Sequence, residues 1–246
     1  MWYSIETVER QTLTAKLRQS VPLSKLTKHL EFEVEDVPRF DFAPGQFVSM
    51  KAEHDGREIT RAYSIASTPR SGNVFDVCLN RVQDGFFSNL LCDLPEGSRV
   101  KFHGPHGYFV LKPQIRDSIF IGTGTGIAPL RGMLHWLFED PSRSEGREFW
   151  LVFGVRKRED LYYHDEFIEM DKDRANFHYI PTLSRDDENW EGARGYVQDH
   201  VREIVGKRTD MDAYICGLKN MVTANRDMLV KELGWDRKSV LYERFD

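Results

Sequence analysis

Three glycines at alternate positions, Gly122, Gly124 and Gly126, are separated by Thr123 and Thr125 in SIFIGTGTGIAPLRGMLHWLF. An apolar run precedes them and a helical pattern follows. Bare backbone at this spacing turns tightly and comes close to a bulky anion, while the next helix offers unpaired N–H groups and the positive end of its dipole. The chemistry suggested is a pyrophosphate cradle. Ile127 stands where a GxGxxG motif carries its third glycine, and the lysine and hydroxyl of a P-loop are missing. Taken alone, the turn reads equally well as a tight strand-to-helix connection. Further along, LSRDDENWEGARGYVQ supplies Ser184, Arg185, Arg194 and Tyr196. A hydroxyl with two guanidiniums suits the 2′-phosphate of NADP. The plainer reading is a polar loop whose arginines pair with Asp186, Asp187 or Glu188.

In the first half, RAYSIAST sets a cation, a ring and a hydroxyl side by side at Arg61, Tyr63 and Ser64. On a strand, Arg61 and Tyr63 share a face and Ser64 takes the other, so a bend or an edge position is needed for all three to reach one flat ligand. QDGFFSNLL then opens a short helix at Gly85 with Ser88 in its first turn, a second anion site or a simple cap.

These groups are positioned by two contrasting kinds of element. Up to about residue 110 the chain alternates with period two in TLTAKLRQ, HLEFEVEDV and QFVSMKA, punctuated at 43–45 and 71–73. Six or so strands at this spacing imply a small antiparallel barrel or sandwich, interrupted by a helix at Phe86 to Cys92. From Ile115 the rhythm becomes apolar strand, then helix: SIFIG, FWLVFG, FHYIPTL, DAYICG and SVLYERF alternate with segments such as MVTANRDMLVKEL. Crossovers of that kind make a parallel, doubly wound sheet. The predicted domains are 1–112 and 113–246, with Pro113 at the change.

Composition narrows the function further. The 246 residues are 40% hydrophobic and 30% charged, which fits a globular protein. The formal net charge of −5 argues against nucleic acid as a partner. All of that excess falls after residue 112. No apolar run approaches a membrane span, and MWYSIETVER is not a leader, so a cytoplasmic protein is expected. Cys78, Cys92 and Cys216 form no CxxC pair and cannot hold an iron–sulfur cluster; no metal is expected.

Together RAYS, GFFSNLLCDLPEGSRVKFHGPHG, GTGTGIAPLRGML, LVFGVRKREDLYYHDEF, SRDD, ARGYVQ, CGLKNM and YERF resemble the plant-type ferredoxin-NADP reductase family, in family order from about Gln46 to the C-terminus. The resemblance implies an antiparallel FAD-binding β-barrel followed by an NADP-binding α/β domain. It assigns the FAD pyrophosphate to Arg61 and Ser88, stacking on the isoalloxazine to Tyr63, and a place near N5 to Ser64. Cys78, Leu79 and Asn80 would run along the flavin, with Ala62, Gly85, Phe86 and Phe87 nearby. Gly122 to Gly126 and Pro129 would face the NADP pyrophosphate, Ser184, Arg185 and Arg194 the 2′-phosphate, and Tyr196 and Gln198 the adenosine end. Cys216, Gly217 and Glu243 would meet the nicotinamide.

Two departures stand out. Phe245, followed by Asp246, occupies the place of the terminal tyrosine that covers the flavin in plant enzymes, and Arg194 replaces a lysine. The basic run Arg156 to Arg158 has no counterpart in that pattern. The expected activity is hydride transfer between NADPH and flavin, with single electrons exchanged with ferredoxin or flavodoxin as diffusing partner. Ser64, Cys216, Glu243 and Phe245 would be the catalytic positions, and the protein would act as a monomer. A docking face is expected around Lys25 and Lys28. The alternatives are a reductase component of an oxygenase, a free-flavin reductase, and a non-catalytic redox sensor.

Overall fold

The computed structural model describes residues 11–69, 72–185 and 188–245. Asp186, Asp187 and Asp246, singled out above, lie outside them. The first half forms six strands: β1 (Leu13–Pro22), β2 (Thr27–Val34), β3 (Phe47–His54), β4 (Arg57–Ser64), β5 (Val74–Asn80) and β6 (Arg99–His106). Their order is β4-β3-β6-β1-β2-β5 and every pairing is antiparallel. An isolated antiparallel bridge from Ile65 to Val77 joins the two ends of the sheet, so the expected barrel forms. Alternation decides which side chains enter it: Leu13, Ala15 and Leu17 of β1 and Leu30, Phe32 and Val34 of β2 are buried. Phe40, Phe75 and Phe102 fill the middle, with Phe75 and Phe102 centroids 5.3 Å apart. Helix α1 (Phe86–Asp93) closes one end, one residue longer than its sequence pattern indicates.

The second half is a parallel sheet ordered β10-β9-β8-β7-β11-β12. Its strands are β7 (Ser118–Thr123), β8 (Phe149–Val155), β9 (Phe177–Leu183), β10 (Ala193–Arg194), β11 (Asp212–Leu218) and β12 (Val240–Phe245). Helices α2 (Ile127–Glu139), α3 (Pro141–Ser144), α4 (His164–Asp173), α5 (Val197–Val205) and α6 (Lys219–Asp227) connect them. Phe120 of β7 packs with Leu130, Met133 and Leu137 of α2 and Phe167 of α4. Its neighbours Ile119 and Ile121 face Val197 and Val201 of α5 and Met221 of α6. Both faces are therefore covered, as a parallel sheet requires. Strand β7 lies between β8 and β11, and at that reversal of strand order a crevice opens at the carboxyl ends.

The two sheets share more than a linker. Ala66, Cys78 and Phe109 of the barrel belong to the same buried cluster as α2. At the crossing, Asp212 accepts from Lys112 Nζ at 2.6 Å and from Arg116, while the Tyr214 hydroxyl accepts from the Lys112 amide at 3.1 Å.

Candidate functional site

One cavity of about 650 Å³ opens between the halves. Arg61, Ala62, Tyr63 and Ser64 reach it from the end of β4, an outer strand of the sheet order, so residues of both its faces border one cavity. Cys78, Leu79 and Asn80 line it from β5, and Gly85, Phe86, Phe87 and Ser88 from the start of α1. From the second domain come Thr125, Glu243, Arg244 and Phe245. Phe47, Ile59, Val82 and Arg244 are lining residues that sequence reasoning missed; nothing in their types marked them, since only closure of the barrel, and for Arg244 the packing of β12 against it, brings them to the cavity.

Tyr63 lies 6.0 Å, centroid to centroid, from Phe87, and burial raises its phenol above the usual range. The ring stays neutral and apolar, as a stacking surface should. The Ser88 hydroxyl accepts from the Val82 amide at 3.1 Å and donates to the Gly85 carbonyl at 3.3 Å, so it shapes the turn as well as facing the cavity. No side chain caps α1, whose first amides are open to an anion. Across the crevice, the Ser64 hydroxyl donates to Glu243 Oε1 at 3.1 Å. Burial raises the Glu243 carboxyl above its ordinary value, with the Ser64 hydrogen bond opposing.

The glycine turn is built as its spacing suggests. Gly124 takes φ +55°, and α2 starts directly after Gly126 with no side-chain cap. A Cβ on Gly126 would stand 2.3 Å from the Cys216 carbonyl oxygen, so the turn and β11 meet backbone to backbone. Thr123 Oγ1 is buried there without a hydrogen-bond partner, and Gly217, at φ +141°, leaves the space beside it open. An orphaned hydroxyl in a cradle of bare backbone fits a polar ligand group, here a dinucleotide. Pro129 is buried in the first turn of α2, behind the cradle.

Cys216 itself is fully buried and is not among the cavity-lining residues. It pairs with Gly122 on one side and Glu243 on the other, and burial beside Glu243 pushes its thiol well above the usual range. Its backbone supports the cradle while Glu243 reaches the crevice. Ser184 and Arg185 are exposed at the end of β9, where the Ser184 amide and hydroxyl both donate to the Val155 carbonyl. That contact puts Arg156 next to Ser184. Arg194, on β10 opposite Leu183, donates to the Trp190 carbonyl at 2.7 Å, and Tyr196 is 67% exposed at the start of α5, followed by Gln198. Ser184, Arg185, Arg194 and Tyr196 thus gather at one edge of the sheet, away from the cavity lining. Among the described residues no cluster of three metal-ligating side chains occurs, and no helix is long and apolar enough to cross a membrane.

An antiparallel barrel and a doubly wound sheet, with a ring-lined cavity between them and a bare-backbone cradle at the strand switch, define a two-domain flavin–nicotinamide oxidoreductase. Residues 14–111 match the oxidoreductase FAD-binding domain and residues 120–227 the oxidoreductase NAD-binding domain. The chain is 38% identical to ferredoxin–NADP reductase B of Sorangium cellulosum, covering 97% of this chain and all of that one. It is 36% identical to ferredoxin–NADP reductase root isozyme 2 of Arabidopsis thaliana over 72% of this chain, spanning 55% of the plant protein. Among solved structures, the cytochrome P450 reductase GcoB of Amycolatopsis superposes with a TM-score of 0.84 at 28% identity, over 96% of this chain and 70% of that one. A ferredoxin NADP+ reductase from Neisseria gonorrhoeae with bound FAD and NADP has the same fold, with a TM-score of 0.82 at 20% identity, over 96% of this chain and 99% of that one. The chain belongs to the ferredoxin-NADP reductase family of FAD- and NAD(P)-binding oxidoreductases.

Proposed function

We propose that the protein is an NADPH-dependent reductase that exchanges single electrons with a ferredoxin or flavodoxin. The observation that carries this reading is the Ser64–Glu243 hydrogen bond of 3.1 Å, a hydroxyl from the flavin half and a carboxylate from the dinucleotide half meeting in one cavity. When bound, FAD would supply the hydride chemistry and the change from two-electron to one-electron transfer. Tyr63 would stack on its rings, with Phe86 and Phe87 lining the same cavity, and Arg61 with the open amides of α1 would hold its pyrophosphate. Ser64 and Glu243 would hydrogen-bond at the reacting edge, and Phe245 would exclude water there until nicotinamide takes its place. Thr123, Thr125 and the amides at the start of α2 would bind the dinucleotide pyrophosphate. Cys216 would act through its backbone and bulk, since a neutral buried thiol is no nucleophile.

Preference for NADPH is supported by Ser184, Arg185 and Arg194 at the sheet edge, with Arg156 as a fourth group beside Ser184. An acidic carrier would dock near Lys25, which lies in the turn between β1 and β2. The Leu26 carbonyl of that turn accepts from the Arg81 amide, next to cavity-lining Val82. The Lys28 ammonium already donates to the Cys92 carbonyl at 2.6 Å, which favours Lys25 as the docking charge. Three free, buried cysteines suit a reducing cytoplasm.

Anaerobic addition of NADPH or NADH to the yellow holoprotein tests the reading. Bleaching faster with NADPH, then turnover with ferredoxin or flavodoxin exceeding that with free flavin, is the expected result. A flavin that stays oxidised with both dinucleotides would leave the redox-sensor alternative standing. Faster turnover of free flavin than of either carrier protein would favour the flavin-reductase alternative.

A further inference from the structure

Helix α2 leaves the dinucleotide turn and, one turn later, lies directly on the barrel. Its contact face carries Arg131 and Gly132. A Cβ on Gly132 would stand 2.6 Å from the Ser67 carbonyl oxygen, so helix backbone rests on the segment that follows Ser64. Beside it, the Arg131 side chain is only 15% exposed and uses both sides of its guanidinium. Nη1 donates to the Ala66 carbonyl at 2.9 Å. Nε and Nη2 donate to the two oxygens of Glu166, on α4, at 2.7 and 2.8 Å. His135 Nε2, one helical turn on, lies 2.6 Å from the same carboxylate.

The barrel side of this contact is equally connected. The Ala66 amide donates to the Asp76 carbonyl at 2.7 Å, and the Asp76 carboxylate lies 4.0 Å from Arg131 Nη1. Two residues past Asp76, Cys78 begins the stretch of β5 that lines the cavity. Two residues before Ala66 stands Ser64. A single guanidinium therefore ties both of these walls to the helix that carries the dinucleotide turn.

We infer that Arg131, held by Glu166 and His135, is a positioning residue that fixes how far Ser64 stands from Glu243, and with it the alignment of flavin and nicotinamide across the crevice. A guanidinium is planar, with donors at fixed angles, so it can hold a carboxylate on one edge and a carbonyl on another. An ammonium on a flexible stem keeps the charge and loses that geometry. Hydride transfer is steeply sensitive to approach distance, so a loosened clamp slows reaction at saturation. The groups that would bind the dinucleotide, Thr123, Thr125 and the start of α2 together with the sheet edge, make none of the clamp's hydrogen bonds.

This inference rests on the reductase reading, and the test separates the two. FAD-loaded wild type, Arg131→Lys, Glu166→Gln and a control, Thr68→Ala, are compared. Thr68 makes the neighbouring interdomain hydrogen bond, to Glu139 at 3.1 Å. Flavin reduction at saturating NADPH should fall about tenfold or more in Arg131→Lys with a rise in the deuterium isotope effect, while KM moves less than roughly threefold. Without dinucleotide, amide exchange across residues 64–68 should accelerate in Arg131→Lys. Glu166→Gln, nearly isosteric, should shift rate and exchange the same way by a smaller factor, and Thr68→Ala should resemble wild type. Wild-type reduction and exchange in both clamp variants would overturn the inference, as would equal slowing in Thr68→Ala. Should Arg131→Lys fail to fold, Glu166→Gln carries the same decision. A wild-type protein that neither dinucleotide reduces would sink the reductase reading instead, and the exchange measurement, which needs no turnover, would still judge the clamp.

Discussion

The flavin half and the dinucleotide half hold their candidate ligand groups in opposite ways. In the barrel, Tyr63, Ser64, Phe87 and Ser88 are buried or half-buried around one cavity, and Ser88 is tied into the Val82–Gly85 turn. In the second domain, among the described residues, Thr125, Glu243, Arg244 and Phe245 reach that cavity, while Ser184, Arg185, Arg194 and Tyr196 lie exposed at the far edge of the sheet. A site pre-formed in a cavity limits the ordering cost of binding and suits a resident cofactor. Charges on an exposed edge capture and release a ligand that must leave after each turnover.

The most forceful way to break this comparison is to block the backbone cradle of the dinucleotide half. Gly126→Val would drive its side chain into the Cys216 backbone. We expect at least about a hundredfold loss of kcat/KM for NADPH and NADH alike, near 2.7 kcal/mol, with FAD still bound, as followed by steady-state kinetics and flavin absorbance. Loss of FAD as well would mean the halves are not independent sites. Next in size is Tyr63→Ala, which removes a stacking surface worth roughly 1–3 kcal/mol. FAD should then dissociate about ten- to a hundredfold more readily in ultrafiltration, while NADPH binding to protein reconstituted with excess FAD stays near normal.

A smaller change sharpens the account of the exposed edge. Arg185→Ala should raise the KM for NADPH about tenfold and leave NADH nearly untouched, as expected for a charge-assisted contact of about 1.5–3 kcal/mol. Equal effects on both dinucleotides would make Arg185 a structural residue. The smallest effect is expected where the halves meet. Burial raises the Glu243 pKa, so as pH falls this carboxylate gains its proton before an exposed one does. If the ionised form accepts the Ser64 hydrogen bond during hydride transfer, the rate of flavin reduction should decline on the acid side through that raised pKa. Glu243→Gln should lower the rate only a few-fold and abolish the decline, as read by stopped-flow across pH. An unchanged acid limb would assign it to another group.

Much of the site was legible because its signals are local. The left-handed φ of Gly124 is demanded by the turn itself, and a helix start at Gly85 needs only the pattern around Ser88. Cys216 was harder. As the opening residue of CGLKNM it reads as a group beside the nicotinamide, yet the strand period leaves its thiol between β7 and β12 and gives the crevice to Glu243 instead. Arg131 lies within GTGTGIAPLRGML but was given no role, because an arginine in an amphipathic helix ordinarily faces water. Arg156 was an unassigned charge until pairing of β8 and β9 set it beside Ser184.

Sequence alone determined the order of the two domains, the antiparallel and parallel character of their sheets, and the bare turn at 122–126. Period-two alternation, strand-to-helix rhythm and glycine sterics all act within a few residues. Tertiary structure decided that Ser64 meets Glu243, 179 positions away, and that Arg131 bridges Ala66 and Glu166. Those contacts depend on how two finished domains pack, and the packing is settled by buried surface and paired charge summed over both.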